Sequence, residues 1–162
     1  MKALVTKNPV LLAVCGKGGV GKTSISALVI KILAEKADRR ILAIDADPSV
    51  GLATALGFKG ERTVNDIRND LINRIEKGES ENRQALLNAL DYEVFAALEE
   101  RENVAFLAIG RPEKEGCYCK VNSMLRDIIE SVARNFDYVV IDGEAGIEQV
   151  NRRVLSTVTH LL

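Results

Sequence analysis

Cys15-Gly16-Lys17-Gly18-Gly19-Val20-Gly21-Lys22-Thr23 is a glycine-rich phosphate loop with an extra lysine directly after its first glycine. Gly16, four intervening residues and Gly21-Lys22-Thr23 satisfy the spacing by which successive backbone N–H groups turn inward around phosphate oxygens without side-chain clash. Lys22 then meets the outer phosphates and Thr23 a Mg2+ ion. Upstream, Val10-Leu11-Leu12-Ala13-Val14 is an apolar run fit for a buried parallel strand. Downstream, Ile25, Leu28, Val29, Ile32 and Leu33 recur at helical spacing. The loop therefore lies between strand and helix, with its amides at a helix N-terminus where the backbone dipole also favours an anion. The nucleotide-binding stretch is Gly16, Lys17, Gly18, Gly19, Val20, Gly21, Lys22, Thr23 and Ser24. Gly16, Gly18 and Gly21 also spell a dinucleotide fingerprint, with Asp45 as its acidic partner. Lys22-Thr23 directly after the third glycine favours a nucleoside triphosphate with magnesium instead.

The 162 residues are 47% hydrophobic, enough for one substantial core and a single nucleotide-binding domain over 1–162. A net charge of −1 leaves no positive excess to neutralise a nucleic-acid backbone, so direct nucleic-acid binding is disfavoured. No apolar stretch approaches the roughly 20 residues of a membrane span, and residues 1–7 lack a secretion signal's apolar region. Three cysteines, two of them too close to bridge comfortably, read as thiols of a reducing compartment. A cytoplasmic location is the expectation.

Further along, Ile41-Leu42-Ala43-Ile44 reads as a second strand, ending in Asp45-Ala46-Asp47-Pro48. Its two carboxylates fall at a strand's C-terminal end, the side on which open parallel sheets bind ligands. From about Thr63 to Glu100 the pattern is helical. Val64, Ile67, Leu71 and Ile75 form one stripe, Leu86, Leu87, Leu90, Val94 and Leu98 another, and Gly78-Glu79-Ser80 the break. Val104–Ile109 is a third strand, 110–120 a loop, Ser123–Arg134 a helix with Leu125, Ile128, Ile129 and Val132 inward, and Tyr138–Asp142 a fourth strand. A short helix is expected over 148–156, and Thr159-His160-Leu161-Leu162 resembles the opening of another strand. Strands alternating with amphipathic helices predict an α/β fold, a mainly parallel sheet with helices on both faces.

Phosphoryl transfer needs positioning and charge neutralisation more than covalent help. Thr23 and Asp142 are the expected magnesium holders, Asp142 through water, with Asp45 also in the outer shell. Asp47 is the first choice to orient the attacking water and Asp45 the second. Cys117-Tyr118-Cys119 is the other unusual feature. In an extended segment its two sulfurs project to one side and can face one metal ion, but they fill only half of a tetrahedral or square-planar set. A second copy of the chain across a two-fold axis supplies the simplest completion.

Lys17, Asp45-Ala46-Asp47-Pro48 and Val139-Val140-Ile141-Asp142 together resemble the deviant Walker A ATPases, the P-loop NTPase group of MinD, ParA and the nitrogenase iron protein. Gly116-Cys117-Tyr118-Cys119 with Asn122, and Asp142-Gly143-Glu144-Ala145-Gly146-Ile147-Glu148, look specifically like the CooC-type ATPases that help insert nickel into carbon monoxide dehydrogenase. The resemblance implies an ATP-dependent homodimer in which Lys17, with Asp47 a catalytic residue, reaches the partner's phosphates. It further implies that Cys117 and Cys119 hold nickel or zinc at the dimer interface, with carbon monoxide dehydrogenase or a related nickel enzyme as client. Family members continue well beyond the position matching Leu162, so the chain is expected to lack the C-terminal elements of the full fold. A positioning ATPase of the MinD/ParA type would keep Lys17, Asp47 and Asp142 but has no use for the cysteine pair. A metal-binding module without turnover is the remaining alternative.

Overall fold

The computed structural model describes residues 8–77, 83–111, 119–143 and 159–162. Its strands are β1 (Val10–Val14), β2 (Ile41–Asp45), β3 (Glu99–Arg101), β4 (Val104–Ala108), β5 (Tyr138–Asp142) and β6 (His160–Leu161). Its helices are α1 (Lys22–Ala34), α2 (Gly51–Leu56), α3 (Val64–Glu76), α4 (Arg83–Ala97) and α5 (Cys119–Ala133). The strands join one sheet in the order β3-β4-β2-β5-β1-β6. All pairings are parallel except β3 with β4.

Alternate residues of each central strand feed opposite cores, which is why the strands read as continuous apolar runs rather than alternating ones. Leu42, Ile44, Ala105, Leu107, Val139 and Ile141 face a core shared with α3, α4 and α5. Ile41, Ala43, Phe106, Ala108 and Val140 face a second core with Ala27 and Ile30 of α1 and Leu52 and Ala53 of α2. Each fully buried aliphatic side chain contributes about 1.5–3 kcal/mol of transfer free energy. This makes the sheet a stiff platform for the loops at its C-terminal edge.

The expected strands are present, and β6 pairs in parallel with β1 through Leu12 and His160. Leu125, Ile128, Ile129 and Val132 are buried as expected. Four features differ. The helical reading through Glu100 is wrong at its end, because Glu99–Arg101 forms β3, joined to β4 by a two-residue turn in which Glu102 has φ 53°. The six-residue α2 had no periodic signature long enough to read. Helix α5 starts at Cys119, four residues before the expected start at Ser123. In α1 the buried positions are Ser26, Ala27 and Ile30, whereas Ile25, Leu28 and Ile32 are exposed. Spacing establishes that a helix forms, but its rotation is fixed by how the preceding loop enters it. The helix expected over 148–156 lies outside the described residues.

Candidate functional site

Parallel pairing brings three strand ends together. Val14 pairs with Asp142, and Asp142 with Asp45, so the loop after β1, the segment after β2 and the end of β5 share one edge. Gly143 N–H donates to the Val14 carbonyl and Ala46 N–H to the Asp142 carbonyl, fixing these ends against one another.

The phosphate loop enters α1 through Gly21, whose φ of 88° is a left-handed conformation that glycine adopts without strain. No side chain caps the first turn of α1, so its amides are left for an anion. Lys22 Nζ donates to the Lys17 carbonyl at 3.2 Å, folding the lysine back over the loop. Lys17, Gly18, Gly19 and Val20 are exposed.

Behind the loop, Asp142 is almost fully buried. Ser26 Oγ donates to its Oδ1 at 3.0 Å, while Oδ2 is buried without a hydrogen-bond partner among the described residues. Burial pushes the Asp142 carboxyl up from its ordinary range, and the Thr23 and Ser26 hydroxyls pull it back. A bare buried carboxylate oxygen beside a threonine hydroxyl is hard-cation chemistry, and Mg2+ fits this donor set. Thr23 and Asp142 would hold the ion, which supplies charge neutralisation to the phosphates when bound.

Asp45 is fully buried and differs from Asp142 in being fully engaged. Its Oδ1 accepts from Asp47 N–H at 3.1 Å and its Oδ2 from Leu52 N–H at 2.8 Å, in the first turn of α2. Burial pushes its carboxyl up to about 6, against the opposing pull of these two amides. Its visible work is to tie the segment after β2 to α2. Asp47 is less buried. Its Oδ1 accepts from Ser49 Oγ at 2.6 Å and Ser49 N–H at 2.9 Å, which with nearby Lys22 holds its carboxyl below the usual carboxylate range. Val50, which follows, is a β-branched residue at φ 51°, ψ 40°, a strained conformation between the Asp47 turn and α2. A Cβ on Gly51 would lie 3.6 Å from Thr23 Cγ2, so this segment abuts Thr23 directly.

The structure thus brings Lys22, Thr23, Asp45, Asp47 and Asp142 to one edge. Cys117 lies outside the described residues. The backbone of Cys119 opens α5, so at least this half of the cysteine pair is helical rather than extended. Among the described residues no group of three or more His, Cys, Asp or Glu could hold a metal ion. Sequence reasoning missed Ser26 and Ser49. The only signal for Ser26 is a polar residue three positions after Thr23 on the face of α1 that packs on the sheet.

A family model described as an AAA domain matches residues 10–162. The chain is 44% identical over 148 residues to the ATP-binding protein MJ0685 of Methanocaldococcus jannaschii, an alignment covering 91% of this chain and 58% of that protein. It is 29% identical over 160 residues to the carbon monoxide dehydrogenase accessory protein CooC of Rhodospirillum rubrum, covering 93% of this chain and 60% of that one. A ParA family ATPase from Chlorobium tepidum TLS has the same fold, with a TM-score of 0.61 at 22% identity over 96% of this chain and 59% of the other. The chain spans about three-fifths of the length of these relatives.

Proposed function

This chain belongs to the AAA domain family, and from that premise we propose that it is a Mg2+-dependent ATPase whose nucleotide state controls a homodimer that carries nickel to a client enzyme. The observation that carries the ATP half is the meeting of Lys22, Thr23 and the unpartnered Asp142 Oδ2 at the end of a glycine-rich loop. Loop amides and Lys22 bind the phosphates, and Thr23 with Asp142 holds Mg2+. Asp45 keeps the segment after β2 against α2 and lies next to Asp142 as an outer-shell carboxylate. Asp47, held ionised by Ser49 and Lys22, orients the attacking water. Exposed on the loop, Lys17 is free to reach the phosphates of a partner subunit.

The cargo half rests on the Cys117-Tyr118-Cys119 pair and on the similarity to CooC. Two thiolates from each subunit complete a four-sulfur set for nickel or zinc only when the dimer forms. ATP binding closes the dimer and organises the thiolates, hydrolysis opens it, and nickel passes to carbon monoxide dehydrogenase or a related nickel enzyme. The work is assigned to the cytoplasm, and among the described residues no helix is long and apolar enough to cross a membrane.

The test measures Ni2+ and Zn2+ binding, with and without ATP, on the protein and on Cys117→Ser/Cys119→Ser, alongside the molar mass in each nucleotide state. ATP-enhanced metal binding that the double substitution abolishes is the expected result. Equal metal binding by both proteins removes the cargo role and leaves a nucleotide-switched ATPase. A monomer in every nucleotide state removes the dimer.

A further inference from the structure

We propose that Ser26 is the positioning residue that aims Asp142 at the divalent cation, an assignment that rests on the Mg2+-ATP reading above. Three observations converge. Ser26 is fully buried on α1, at a position where a helix packing on a sheet ordinarily places an apolar side chain. Its hydroxyl has a definite task, donating to Asp142 Oδ1 at 3.0 Å. The other oxygen of that carboxylate is buried and has no hydrogen-bond partner among the described residues.

A carboxylate on a rigid strand end still rotates about its Cβ–Cγ bond, which exchanges its two oxygens. A half-turn restores the same arrangement because the two oxygens are equivalent, but intermediate angles do not, and the buried Ser26 hydroxyl fixes the plane of the group. Away from that plane the buried hydrogen bond is lost and a hydroxyl is left unpaired, so one oxygen stays on Ser26 and the other stays clear of it. The carboxylate is thereby held with Oδ2 presented on the cation side before any nucleotide arrives. Ser26 and Thr23 are three residues apart on α1, so one helix turn carries both the direct ligand and the residue that orients its opposite number. The neighbouring Asp45 differs, since each of its oxygens already accepts an amide, from Asp47 and from Leu52. Outer-shell partners of this kind alter metal affinity by about 10–100-fold when removed.

The test compares wild type, Ser26→Ala and Ser26→Cys in two titrations. One measures affinity for a fluorescent ATP analogue in EDTA and then against rising Mg2+. The other follows Mn2+ binding by electron paramagnetic resonance in the presence of nucleotide. Ser26→Ala is expected to bind nucleotide in EDTA as wild type does, while its half-saturating Mg2+ and its Mn2+ dissociation constant rise about tenfold. Ser26→Cys, close in size but a weaker donor, is expected to fall between, and it carries the test if the alanine variant does not fold. Variants whose Mg2+ and Mn2+ affinities match wild type overturn the assignment. Equal losses in EDTA and in Mg2+ also overturn it, because they indicate general damage to the site. A wild-type protein whose nucleotide affinity ignores Mg2+ refutes the underlying reading as well, and that outcome is distinct from either.

Discussion

Asp45 and Asp142 stand side by side on adjacent parallel strands, yet both oxygens of Asp45 accept backbone amides whereas one oxygen of Asp142 is buried without a hydrogen-bond partner among the described residues. The pairing gives two buried carboxyls whose ionisation is opposed by desolvation, with the Asp142 charge adding to the effect at Asp45 and the Asp47 charge at Asp142. For Asp45 the carboxyl rises from 3.8 unfolded to about 6 folded. The folded state then binds more protons across that window, so stability is greatest below the unfolded value and falls as pH rises through the folded one. Two units correspond to about 3 kcal/mol. Urea unfolding of the ligand-free protein is expected to show decreasing stability between about pH 4 and pH 6. Asp142, shifted in the same direction, adds to the slope. Asp45→Asn should flatten the Asp45 contribution, and an unchanged slope would show that Asp45 is not its source.

Among the described residues Lys22 donates one exposed hydrogen bond, to the Lys17 carbonyl, and otherwise acts through its charge on the Asp47 and Asp142 carboxyls, so the core does not depend on it. Lys22→Ala is expected to shift unfolding free energy by no more than about 0.5 kcal/mol. Its affinity for ATP should nonetheless fall at least tenfold, since a charge-assisted contact to phosphate is lost. Isothermal titration with ATP and Mg2+ measures the second effect and thermal unfolding the first. A large loss of stability would mean that the lysine is part of the framework.

What the sequence made legible follows from where each signal is written. The phosphate loop, the four apolar strands and the carboxylates at their ends are local patterns, and Lys22, Thr23, Asp45, Asp47 and Asp142 come together because parallel pairing aligns strand ends. The buried role of Ser26 is not local. It depends on the rotation of α1 about its axis, which also leaves Ile25, Leu28 and Ile32 exposed. Strand β3 was hidden because Glu99, Glu100 and Arg101 are polar edge residues that continue the charged pattern of α4. The start of α5 was hidden because Cys119 and Lys120 precede its apolar stripe.

Ser49 sets the ionisation of Asp47. Its hydroxyl and its amide both donate to Oδ1, and together they are the main reason that the carboxyl lies below its ordinary range. Ser49→Ala keeps the amide and removes the hydroxyl, so the folded value should move up. If Asp47 must be ionised to orient water, the acid limb of kcat/KM for ATP hydrolysis shifts to higher pH while the plateau changes little. An acid limb at the wild-type position would show that Asp47 is not the group titrating in turnover.

Gly110 offers a test at the far side of the same edge, where β4 gives way to the segment that leads toward the cysteine pair. Its φ is 77°, and a Cβ there would lie 2.7 Å from Thr63 Cβ. Thr63 caps α3 in a reciprocal box with Asp66, and Asn65 Nδ2 donates to the Gly110 carbonyl at 2.8 Å, so neither neighbour can retreat without breaking a helix start. Left-handed strain and overpacking act together in Gly110→Ala, for a combined loss of about 2–5 kcal/mol. Urea unfolding should show it as a lower midpoint with little change in slope. Gly110 contacts none of Lys22, Thr23 or Asp142, so ATP affinity of the folded fraction should stay within about twofold of wild type. A variant as stable as wild type would mean that α3 can shift away from the strand end at little cost.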